Sequence, residues 1–67
     1  MKTVLILIDT RICVEECIME APKYDDDMFE LCSFILAEHS ISIPRHVSDL
    51  LELYMFLRNE VSLLLDN

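Results

Sequence analysis

The sequence predicts a small all-α protein: a three-helix unit whose second and third helices form an antiparallel hairpin, assembling as a dimeric helical bundle. Three observations lead there. Val47, Leu50, Tyr54, Leu57, Val61 and Leu64 recur in alternating steps of three and four residues, the spacing that lines one face of a helix. Pro22 and Pro44 divide the chain into three segments, because proline pushes the residue before it out of helical conformation. Finally, 54% of the residues are hydrophobic in a chain of 67 residues without a single glycine. A chain this short buries only about 60% of the surface its unfolded form exposes, so the apolar surplus calls for a partner surface.

The first segment, Met1–Ala21, has two readings. As a helix, it puts Val4, Leu7, Val14, Ile18 and Ala21 on one face, interrupted by Arg11, with Lys2, Asp9, Glu16 and Glu20 roughly opposite. The alternative is an α+β protein with a short strand over residues 3–8, where Thr3-Val4-Leu5-Ile6-Leu7-Ile8 is a β-prone run and Asp9-Thr10 caps a helix from Arg11 to Glu20. That strand needs a partner, and only Ile41-Ser42-Ile43 or a symmetric copy offers one. The helix is the favoured reading.

In the second segment Asp25, Asp26 and Asp27 precede a helical pattern. Asp27 and Glu30 have the spacing of a capping pair, and all three aspartates suit the positive end of the helix dipole. Met28, Leu31, Cys32, Ile35 and Leu36 are the expected buried face, with Phe29 and Phe34 flanking it. Asp26, Glu30, Ser33, Ala37 and Ser40 are the wet face.

A short link, Ser40–Pro44, favours antiparallel packing of the next helix, read as running from Pro44 or Arg45 to Asp66. Leu51, Leu53, Phe56, Leu63 and Leu65 widen its apolar seam. Met55 falls in the middle of a polar face made of Arg45, Ser48, Glu52, Asn59, Ser62 and Asp66. So much apolar surface exceeds what one small subunit covers. Leu53, Tyr54, Met55, Phe56, Leu57, Val61 and Leu64 are therefore the expected oligomer or partner interface.

Net charge is −8, from 13 acids against five bases, and the bases are scattered. Binding to phosphates needs clustered Lys and Arg, so nucleic acid and anionic membranes are poor partners. Glu15, Glu16, Glu20, Asp25, Asp26, Asp27 and Glu30, relieved only by Lys23, form an acidic stretch suited to a basic protein surface.

Chemistry is largely excluded. Without glycine there is no phosphate loop, dinucleotide fingerprint, nucleophile elbow or EF-hand loop. Cys13, Cys17, Cys32, His39 and His46 have irregular spacing for structural zinc, and no turn offers donors to an oxyanion beside a Cys–His pair. The aspartate run is better placed to interact with a helix dipole than to wrap a cation. No catalytic, cofactor or metal residues are expected. An odd cysteine count, with no secretory signal, points to reduced thiols and a cytoplasmic location. Thr3–Ile8 is too short to span a bilayer.

Residues 36–50 resemble a helix-turn-helix. Ala37 and Val47 have the customary separation, and Leu36 and Leu50 fit. The resemblance implies a DNA-binding or antitoxin-type regulator. Ile41 in place of the turn glycine, Ser40 and Ser42 in apolar positions, and Asp49 and Glu52 on the would-be recognition helix count against it. The preferred expectation is a non-enzymatic interaction module, a homodimer that binds and modulates or inhibits a regulatory protein of the host, for which a basic surface would be the complement. In size, acidity and lack of chemistry it is similar to accessory proteins of phages and other mobile elements.

Overall fold

The computed structural model describes residues 2–20 and 25–66. Three helices follow one another: α1, Lys2–Glu20; α2, Asp25–Glu38; and α3, Leu50–Leu65. No strand occurs among the described residues, so the protein is all-α and the strand reading of residues 3–8 is overturned. A helix pairs the backbone of that run within itself, whereas Ile41 and Ile43 direct their side chains against the core and offer no ladder. Thr10 is buried on α1 because its hydroxyl donates to the Ile6 carbonyl at 2.8 Å. No helix among the described residues is long and apolar enough to cross a membrane.

The core is built from Leu7 and Val14 of α1, Cys32 and Leu36 of α2, Val47, and Leu50, Leu53, Leu57 and Val61 of α3. On α3 these residues recur at steps of three, four and four, a narrower stripe than the predicted seam. Tyr54 and Leu64 sit half-buried at its edges. α1 shares its broadest interface with α3, while α2 and α3, expected as the central hairpin, share the smallest. The reason lies in side-chain distribution: Leu31 and Phe34, placed in or beside the buried face of α2, are exposed.

Helix ends differ from expectation in two places. α2 starts at Asp25, so Asp27 lies inside the first turn and is not the cap. Asp26 and Asp27 are exposed there, where carboxylates favour the helix dipole. α3 starts at Leu50, not at Pro44 or Arg45. The Val47 N–H is taken by the Pro44 carbonyl at 3.0 Å in a turn. Asp49 is then extended (φ −143°, ψ 173°), and its carboxylate accepts the Glu52 N–H at 2.8 Å. Ser48 steadies Glu52 by donating its hydroxyl to Oε1 at 2.9 Å.

α2 ends in a Schellman arrangement. The Ile41 N–H reaches the Leu36 carbonyl at 2.9 Å and the Ser40 N–H reaches the Ala37 carbonyl at 3.0 Å. Ser40 occupies the left-handed position, φ 61°, which glycine usually takes. Ile41 packs back on the core cluster that contains Leu36, the apolar contact that accompanies this cap. A β-carbon in that conformation costs roughly 1 kcal/mol. Ser40→Gly is therefore expected to stabilise the protein by about 0.5–1 kcal/mol, read as a higher urea midpoint at unchanged slope.

Candidate interaction surface

The predicted interface residues divide into three groups. Leu53 and Leu57 are fully buried and Val61 nearly so, all facing inward to the chain's own core. Tyr54, Phe56 and Leu64 are half-buried and packed against it. Met55 is 61% exposed.

Helical geometry puts Leu51 and Met55, both exposed, on the side of α3 that faces away from the core, while exposed Leu65 lies nearer the edge of the buried stripe, beside Val61, with Arg58 and Ser62 between them. Met55 also borders two shallow depressions: one of about 450 Å3 with Arg58, Asn59 and Ser62, and one of about 470 Å3 that includes His46, Phe56 and Glu60. A second strip, not anticipated from the sequence, lies on α1. Leu5, Ile12 and Met19 are exposed at seven-residue steps, on the side opposite Val4, Leu7 and Val14. The spacing alone made it readable. Met19, with Glu15 and Ile18, meets Leu51 and Tyr54 around a depression of about 200 Å3, so the two strips adjoin.

The acidic stretch occupies the second half of α1 and the first turns of α2. Glu15, Glu16, Glu20, Asp26, Asp27 and Glu30 are all exposed; the Asp25 side chain lies outside the described residues. The last turn of α1 has no basic residue. Glu20 therefore adds to the negative end of the α1 dipole, a placement that does nothing for helix stability. α3 is the least acidic of the three helices, with Glu52 and Glu60 against Arg58.

The three cysteines come together from two helices. Cys13 is exposed, Cys17 half-buried and Cys32 buried. Burial first, then the neighbouring Cys13 and Cys17 thiols and a hydrogen bond with Cys13, push the Cys32 thiol up to about 11. Among the described residues no group of three or more His, Cys, Asp or Glu is arranged to hold a metal ion. His39 follows the end of α2 and His46 lies in the connection before α3; both are exposed.

Residues 36–50 hold the end of α2, the connection 39–49 and the first residue of α3. The turn of a helix-turn-helix has three or four residues, so its second helix does not form where the resemblance placed it. Comparison with protein-family models, curated proteins and solved structures finds no match for the chain.

Proposed function

We propose that the protein is a small acidic interaction module. It pairs with a second copy through the outer face of α3 and engages a basic protein through the carboxylates of α1 and α2, modulating that partner without catalysis. The observation that carries this reading is the exposed pair Leu51 and Met55, flanked by exposed Leu65, on the least acidic of the three helices. Two chains of net charge −8 repel one another, and α3 is where they approach with the fewest carboxylates between them. A twofold pairing is the commonest closed arrangement and buries the same strip on both copies.

Salt separates the two contacts. Raising ionic strength from about 0.1 M to about 1 M shortens the screening length from roughly 10 Å to roughly 3 Å. The apolar pairing of two acidic chains should strengthen, whereas capture on a basic surface should weaken. Sedimentation equilibrium should give twice the 7.8 kDa chain mass, with tighter association at high salt. A single-chain mass at every concentration and salt level would refute the pairing.

A further inference from the structure

Cys13 of α1 and Cys32 of α2 come together where these two helices meet. Together they line a pocket of about 200 Å3, walled also by Ile6, Asp9, Thr10 and Ile35. One thiol is open to solvent while the other is 2% exposed, so the pair has an entrance and a sheltered end. We propose that Cys13 and Cys32 are a reversible modification site, an intramolecular disulfide formed by exchange with a small non-anionic disulfide, which ties α1 to α2.

The exchange balances in two steps. Cys13 releases its proton to solvent, and its thiolate attacks one sulfur of the small disulfide. The small S–S bond breaks, one small thiolate leaves, and Cys13 carries a mixed disulfide. Cys32 then releases its proton and attacks the Cys13 sulfur; the mixed bond breaks and the second small thiolate leaves. The protein loses two electrons and two protons, and the small disulfide is reduced to two thiols. Excess thiol reverses both steps. Cys13 performs the first attack because it is the accessible thiol, and burial of Cys32 keeps it from competing for the reagent. Cys17, one turn along the same helix as Cys13, is a poorer bridge partner, since joining consecutive turns distorts the helix. Asp9 on the pocket wall sets the reagent class: its carboxylate disfavours an anionic disulfide and favours a neutral or cationic one.

Cystamine, which is cationic, and oxidised glutathione, which is anionic, are the probes. The full-length reduced protein treated with cystamine should lose the mass of two hydrogens without gaining an adduct. Peptide mapping should join the Cys13 and Cys32 peptides, and oxidised glutathione should react more slowly. Cross-linking a loop of this length raises Tm in so small a domain by roughly 10 °C or more. Cys17→Ser should keep the product and the shift, while Cys13→Ser, a change at an exposed position, should remove both. A lasting cystamine adduct on Cys13, a Cys13–Cys17 bridge, or a bridged product with unchanged Tm would each overturn the proposal.

Discussion

Replacing Leu57 with alanine is expected to leave most of the protein unfolded at 25 °C. Leu57 is fully buried and belongs to the cluster that joins Leu7 and Val14 of α1 to Cys32 and Leu36 of α2. Truncating a buried leucine costs about 2.7–5 kcal/mol, from lost transfer energy and the cavity left behind. A core of this size supplies only about 3–5 kcal/mol of net stability. The cost and the reserve are therefore comparable. Leu51, six residues earlier on the same helix, is exposed, so Leu51→Ala should change monomer stability by no more than about 0.5 kcal/mol. Urea titrations followed by helical circular dichroism, at a protein concentration low enough to keep the chain single, compare the two. Equal stability losses would mean that α3 does not present the Leu50–Leu53–Leu57–Val61 stripe to the core.

That stripe shows how far periodicity could be read. Apolar residues lie on nearly every side of α3, so the three-four repeat located a helix and its general inner side but not the centre of its buried face. It put Tyr54 and Leu64 on the seam and treated Leu53 as flanking, whereas Leu53 is fully buried and the other two lie at the margin. The same ambiguity displaced Leu31 and Phe34 of α2. Which side of an all-round apolar helix turns inward depends on its neighbours, and a local pattern does not contain them. The start of α3 is legible in a second signal: Pro44 marks the end of the preceding helical segment, while Ser48-Asp49-Leu50-Leu51-Glu52 holds the capping chemistry that the structure uses. The left-handed Ser40 was not legible, because serine pays a conformational cost there and nothing in its local sequence announces it. Convergence of Cys13, Cys17 and Cys32 was equally hidden, since it depends on how α1 and α2 pack.

Met55→Asp is expected to convert the pair into single chains while leaving the fold intact. Met55 is largely exposed in the single chain, so a carboxylate there stays hydrated and monomer stability changes by about 0.5 kcal/mol or less. In a twofold pairing through α3 the same change puts one carboxylate from each copy into the contact, near its counterpart, where desolvation and like-charge repulsion together cost several kcal/mol. A cost of about 4 kcal/mol weakens association roughly 1,000-fold. Phe56→Asp is a less discriminating substitution: Phe56 is half-buried against the core, so its loss would unfold the chain and separate the copies together. The measurement is sedimentation mass beside a urea midpoint, the midpoint taken at a concentration low enough that wild type is also a single chain. Wild-type mass in Met55→Asp would remove the outer face of α3 as the pairing surface. A lowered midpoint with unchanged mass would show instead that Met55 supports the core, against its exposure. With the midpoint held and the mass halved, the same substitution also isolates the acidic half of the proposal, because the carboxylates of α1 and α2 are untouched and a basic partner should still bind the separated chain.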